Sequence, residues 1–196
     1  MVKRRSLIRR TTPGKLRNET TLARALSTFE APVGVTRPRW VRERDQLRET
    51  AERVERLRKA ANTDTLTGIA NRRVAERALN LFASGQRRYA VMMIDIDHFK
   101  AINDQHGHDT GDRILERIAE ILKARMRVQD TVARWGGEEF LVIVESVTRD
   151  ESASIAESLR QMIEACTGEI LKATISIGVA HSETGQSVDQ ILKRAD

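Results

Sequence analysis

The stretch "DTVARWGGEEFLVIVE", Asp130 to Glu145, decides how the fold is read. Two short apolar runs, "DTVAR" and "FLVIVE", flank Gly136-Gly137. Paired glycines between strand-like runs signal a β-hairpin, so these strands are expected to lie antiparallel. Glu138 and Glu139 follow the glycines at the tip. Two adjacent carboxylates there are either ordinary solvated turn residues or the holders of a ligand, and the stretch by itself does not choose.

Working outward, the pattern alternates between helices and strands. "YAVMMIDID" (Tyr89 to Asp97) is a short apolar run ending in acid. Helical faces are read through Val74, Ala78 and Leu81, through Leu115, Ile118 and Leu122, and through Ile155, Leu159 and Met162. "KATISIGVA" alternates Ala173, Ile175, Ile177 and Val179, the pattern of a half-buried strand, and "SVDQILKRAD" opens a last helix. Helices that separate strands, together with a hairpin, predict an α+β fold. Its sheet should be mixed and largely antiparallel, with flanking helices, akin to split βαβ folds.

The 196 residues, 40% of them hydrophobic, suffice for one domain with a core and some extra length. The single cysteine, Cys166, excludes an internal disulfide framework and is read as a packing thiol near a helix end. No apolar run reaches membrane-spanning length and no signal-peptide pattern opens the chain, so the cytoplasm is the expected compartment. The net charge of +6 is unevenly spread. Residues 1–44 hold 12 Lys/Arg against 3 Asp/Glu, whereas the rest hold 22 against 25. The basicity thus belongs to the leader, as a solvated tail or a segment that touches phosphate or anionic lipid.

Three segments follow. Residues 1–37, with Pro13, Pro32, Gly14 and Gly34, are expected to be mostly irregular. Residues 38–62 read as a helical stalk opening at Pro38. Trp40, Leu47, Val54 and Ala61 recur every seven residues, with Thr50 and Leu57 in the second seam position, which suits a two-stranded coiled coil. A lone amphipathic helix packed on its own domain is the alternative. Residues 63–196 form the main domain.

Asp95 and Asp97 lie where the apolar strand runs out, on one side by alternation, and strand ends commonly hold ligands. A hard divalent cation takes oxygen ligands, often one or two carboxylates completed by substrate phosphates. Gly136 and Gly137 leave room for a phosphate to approach backbone N–H groups. Each signal alone is weak. His106 and His108 make a poor zinc signature without a cysteine partner. Asp64 and Arg134 are read as a structural pair.

Together, "DTLTGIANRR", "IDIDHFKAINDQHGHDTGD", "RWGGEEF" and "ATISIGVA" resemble, in order and spacing, the GGDEF domain of diguanylate cyclases. The resemblance covers about Thr63 to Asp196. It implies a fold like the nucleotide-cyclase and polymerase palm, and an enzyme that joins two GTP molecules into cyclic di-GMP with release of two pyrophosphates. By the same resemblance, Asp95, the Ile96 carbonyl and Glu138 would hold Mg²⁺, with Mn²⁺ as a substitute. Glu139 would assist at the metal, Glu138 would activate the attacking hydroxyl, and Lys100 would face the phosphates. Asn103 and Asp112 would read guanine, with Phe99, His108, Gly136 and Gly137 lining the substrate site. Arg127 and Asp130, an RxxD upstream of the hairpin, match an inhibitory site for the product. Two facing domains are required, hence a homodimer through the stalk.

The sequence departs from the pattern in two places. GGEEF replaces GGDEF, which keeps the oxygen ligand. The chain ends at "LKRAD", where the family continues with Lys and Arg that contact GTP phosphates, so weakened or absent activity is expected of this chain. Two further function classes stand beside the cyclase: a non-catalytic module that binds GTP or cyclic di-GMP and signals by contact, and a nucleic-acid binder acting through the N-terminal arginines. The negative balance of the main domain argues against the last, and no specific nucleic-acid partner is expected.

Overall fold

A computed structural model describes residues 38–85, 88–168 and 170–196. The basic segment 1–37 lies outside the described residues. The chain divides between Ala51 and Glu52 into two units. In the first, the described residues belong to the opening of helix α1 (Arg39–Asn62), which starts directly after Pro38. As expected of the stalk, the segment is one continuous helix. It buries none of its side chains, and Trp40, Leu47, Val54 and Leu57 are 57–72% exposed. The apolar stripe is exposed among the described residues.

The second unit carries a five-stranded mixed sheet in the order β1-β3-β4-β2-β5. Its strands are β1 (Ala70–Asn71), β2 (Tyr89–Ile96), β3 (Thr131–Arg134), β4 (Glu139–Glu145) and β5 (Ile175–His181). The β3–β4 hairpin is antiparallel, as are β4–β2 and β2–β5, and only β1 runs parallel to its neighbour β3. The α+β fold with a largely antiparallel mixed sheet is thus observed. Five helices accompany the sheet among the described residues: α2 (Arg72–Ser84), α3 (Phe99–His106), α4 (His108–Arg125), α5 (Arg149–Thr167) and α6 (Val188–Ala195). None is long and apolar enough to cross a membrane.

Strand β2 explains the layering. Every residue in it is buried except Asp95, the mark of a strand covered on both faces. Met92, Ile94 and Ile96 join Phe140, Val142 and Val144 in a core closed by Ile114, Leu115 and Ile118 of α4 and by Leu159 and Ile163 of α5. Val91 and Met93 join Leu141 and Ile143 on the other face, beneath Leu79 and Phe82 of α2 and Ile191 of α6. Burying a side chain of this size contributes about 1.5–3 kcal/mol, so the two cores fix which way each strand residue points. Alternation then places Asp95 and Glu139, directly opposite one another, on the α2/α6 face.

One helical face differs from the sequence reading. Val74, Ala78 and Leu81 were expected to mark the inward side of α2. The buried residues are Ala75, Leu79 and Phe82, and Leu81 is 69% exposed. The stripe is turned by one position because Phe82 must reach Tyr89, with ring centroids 5.4 Å apart. Cys166 is half-buried one residue before the end of α5 and packs against the larger core, as a packing thiol should.

Candidate active site

The acid-bearing end of β2 meets the tip of the β3–β4 hairpin. Asp95 pairs in register with Glu139 on one side and with Ser176 on the other. Like charges directly opposite on adjacent strands oppose folding, so this placement is not one that stability selects. Burial raises the Asp95 carboxyl above the ordinary aspartate range, and the negative charges of Glu138, Asp97 and Asp196 raise it further. The site thus holds a surplus of negative potential at an exposed carboxylate. Among the described residues, no group of three acids, histidines or cysteines forms a ready-made metal cluster. The donors are all oxygens, which suits a hard cation whose shell is completed by ligand oxygens.

Asp97 has a different role from the one that alternation suggests. Strand β2 ends at Ile96, and the Asp97 backbone N–H donates to the Thr174 carbonyl at 3.0 Å. Its carboxylate accepts from Thr174 Oγ1 at 2.6 Å and Ser176 Oγ at 2.7 Å. Partial burial would raise this carboxyl, but the two hydroxyl donors and the nearby His98 hold it below the ordinary range. His98 itself adopts a left-handed conformation (φ 58°), which turns the chain from β2 into α3.

The hairpin tip is held from behind. The Arg134 guanidinium donates to the Gly137 carbonyl through Nε (3.0 Å) and a terminal nitrogen (2.7 Å), and to Asp64 Oδ1 at 3.2 Å. Asp64 also accepts from the Thr67 backbone and hydroxyl. Burial acts to raise its carboxyl, but these bonds and Arg134 outweigh it and lower it. The expected Asp64–Arg134 pair is therefore present, with both side chains about one-fifth exposed. Trp135 adds a second tie, since the Arg72 guanidinium lies over its ring at 4.4 Å. The two glycines divide their tasks. A Cβ on Gly136 would stand 2.3 Å from Glu139 Oε2, whereas one on Gly137 meets nothing within 4 Å. The space beside Gly136 is occupied by the chain's own Glu139, and the space beside Gly137 is open.

A second cluster forms where α3 meets α4. Asn103 Oδ1 is buried and accepts no hydrogen bond. It stands 2.0 Å from where a Cβ on Gly111 would be, so only glycine there admits the amide in this position. Asp112 follows Gly111 and is exposed, as are Lys100 and His108, while Phe99 is buried in the larger core beneath Gly111. His106 is exposed at the end of α3. The sequence reading missed Gly111, Thr174, Ser176, Trp135 and Arg72. Glycine in the first turn of an otherwise strong helix was the one local signal available.

Arg127 and Asp130 form a turn rather than a free pair. The Arg127 backbone N–H donates to Asp130 Oδ2 at 2.9 Å, and Asp130 Oδ1 is buried without a donor. Both line a cleft of about 640 Å³ between this turn and α5, with Arg125, Ser154, Ile155 and Ser158.

Known proteins resemble this chain in sequence and fold. Residues 61–196 match the family described as diguanylate cyclase, GGDEF domain. The chain is 37% identical over 147 residues to diguanylate cyclase DgcM of Escherichia coli, covering 72% of this chain and 36% of that protein. It is 37% identical over 151 residues to diguanylate cyclase DgcP of Pseudomonas aeruginosa, covering 73% and 22% respectively. The alignments thus span about a third or less of these curated relatives. Among solved structures, the coiled coil and GGDEF domain of DgcB from Caulobacter crescentus, in complex with c-di-GMP, superposes with TM-score 0.73 at 28% identity, over 81% of this chain and 88% of that one. Sheet order, hairpin, acid-bearing strand end and the match over residues 61–196 together assign this chain to the GGDEF domain family of diguanylate cyclases.

Proposed function

We propose that the domain condenses two GTP molecules into cyclic di-GMP, with release of two pyrophosphates. The observation that carries this reading is the uncompensated Asp95, raised by burial and by Glu138 beside it, at the one exposed position of an otherwise buried strand. A divalent cation and nucleotide phosphates supply what such a site lacks. The donor set fits Mg²⁺, with Mn²⁺ as a substitute: Asp95 and Glu138 offer carboxylates, and the Ile96 carbonyl lies between Asp95 and Asp97 in the chain. Bound there, the metal would neutralise charge that develops on the phosphates.

The chain's own residues provide the rest. Glu138, at the hairpin tip, would take the proton of an attacking hydroxyl, with Glu139 adding negative charge beside it. Lys100 offers a cation near the start of α3 for phosphate oxygens. The idle Asn103 acceptor and the exposed Asp112 suit the N–H donors of guanine. His108 stands beside them, and the open space at Gly137 lets a phosphate reach the backbone. One domain holds one nucleotide, so two copies must face each other, and the heptad stripe of α1 is the surface proposed to pair them. The cleft at Arg127 and Asp130 is the proposed site for product, which would restrain the enzyme from a distance. The unsatisfied Asp130 Oδ1 supports a ligand with N–H donors there.

Incubating the full chain with GTP and Mg²⁺ and resolving the products by chromatography tests the proposal. Cyclic di-GMP is expected, suppressed by EDTA and by added product. Binding of GTP without turnover would support a non-catalytic module instead.

A further inference from the structure

Gly178, in the middle of β5, is a glycine for reasons of space. Its φ is not positive, so its backbone conformation is open to any residue. A Cβ there would stand 1.7 Å from the Ala195 carbonyl oxygen and 2.8 Å from its carbon. Both are backbone atoms, so no side chain can swing aside to admit it. Helix α6 therefore lies directly on β5 at this point. Ala195 is 1% exposed and is buried with Met93 and Ile191 on one face of the sheet. The contact has a consequence further along the strand. Gly178 pairs with Met93, and Ser176, two residues away on the same face, pairs with Asp95. Two residues of strand span about 6.6 Å, and neighbouring strands lie about 4.8 Å apart. The residue after Ala195 is Asp196, so seating the Ala195 carbonyl on Gly178 carries an exposed carboxylate towards the acid-bearing end of β2.

The charge of Asp196 is felt there, since it acts with Glu138 and Asp97 to raise the Asp95 carboxyl. The cation next to it in sequence is turned away. Arg194 donates to Glu183 and to the His181 carbonyl, at the opposite end of β5 from Ser176. Helix α6 thus presents an acid to the strand end and holds its arginine off. We propose that Asp196 adds its charge to the cation site at Asp95, and that Gly178 is the positioning residue that brings it there. Asp196 acts through its field, which concentrates a divalent ion at the strand end. Gly178 touches no ligand, and its effect passes through Ala195 to Asp196. The inference rests on the cation reading of this strand end and extends it from β2 and the hairpin to α6.

Mn²⁺ alone, titrated into the full chain at low salt and followed by electron paramagnetic resonance, tests it without turnover. Asp196→Asn is expected to weaken Mn²⁺ binding about three- to fivefold, the scale of a unit charge acting on a divalent ion across about 10 Å of water. The thermal midpoint should not fall, and the deficit should shrink as salt shortens the Debye length. Asp196→Glu keeps the charge and should bind within about twofold of the parent. Gly178→Ala should weaken binding by a similar factor, and the double variant no further, because both remove the same charge from the site. Where Gly178→Ala fails to fold, Asp196→Asn still decides the matter. Asp95→Asn separates the inference from the reading beneath it. Lost binding in Asp95→Asn with parental binding in Asp196→Asn would overturn the inference and leave the cation site standing. Parental binding in Asp95→Asn would overturn both, and additive losses in the double variant would remove the positioning role of Gly178.

Discussion

Asp95 and Asp97 stand two residues apart at the end of one strand, yet the two sides of that strand end treat them in opposite ways. On the side of β4, Asp95 faces Glu139 in register and feels Glu138, and its carboxyl is pushed up. On the side of β5, Asp97 receives two hydroxyl donors from Thr174 and Ser176, and its carboxyl is drawn down. One aspartate is satisfied by the fold and the other is left among further acids. A shared residue type and a shared alternation phase therefore do not imply a shared role. What decides is whether the neighbouring strand presents donors or further acids.

The comparison can be broken most severely at Asp95. Asp95→Asn should lower cyclic di-GMP formation about 100-fold or more and raise the Mg²⁺ concentration needed for half-maximal rate, while leaving the thermal midpoint unchanged or higher. A normal rate in this variant would remove Asp95 from the site. Glu138→Gln should reduce kcat by about 100-fold, and relieving its charge should let the Asp95 carboxyl fall, visible as a downward shift of its titration by NMR.

Asp97→Asn tests the other side. It replaces two charge-assisted bonds by weaker ones, so about 1–3 kcal/mol of stability should be lost in denaturant titration, with kcat within about tenfold of the unaltered chain. The pH dependences should also oppose each other. Asp97 has a lowered carboxyl in the fold, so its contribution is present above the ordinary aspartate range near pH 4 and drains away as pH falls below it. Asp95 has a raised carboxyl, so its ionised form opposes folding above that range, and this penalty is relieved as pH falls through the raised value. Stability profiles of the two Asn variants should therefore deviate from the parent in opposite directions. The smallest effect is expected from Asp64→Ala, which frees Arg134 from one of its two anchors. A loss of about 1 kcal/mol and a few-fold drop in kcat, with KM little changed, would mark a positioning role for the hairpin's rear support.

Much of this architecture was legible because it rests on local periodicity. The hairpin through Gly136-Gly137, the buried β2 and the helices through Leu115 and Leu159 all follow from spacing and turn chemistry. What spacing could not convey is contact between segments. Thr174 and Ser176 lie nearly eighty residues from Asp97, and no pattern around "DID" predicts that they will claim one aspartate and leave the other. The inward face of α2 was misread by one position because Val74, Ala78 and Leu81 are as apolar as the residues that are buried. The choice is made by Tyr89, which Phe82 has to meet. Gly111 gave only a weak signal, a glycine in a helical first turn, because its need arises from Asn103 on a different helix.

The idle oxygen of Asn103 carries one more consequence. A buried acceptor without a donor leaves the folded chain short by about 1–3 kcal/mol, and packing around Gly111 holds it in that condition. Whatever enters beside it is judged by that shortfall. On the proposed reading, a ring edge that offers an N–H would relieve it, whereas one that presents a lone pair would meet repulsion. On that reading, the fold would carry base discrimination in its resting state, before any contact with a ligand is made.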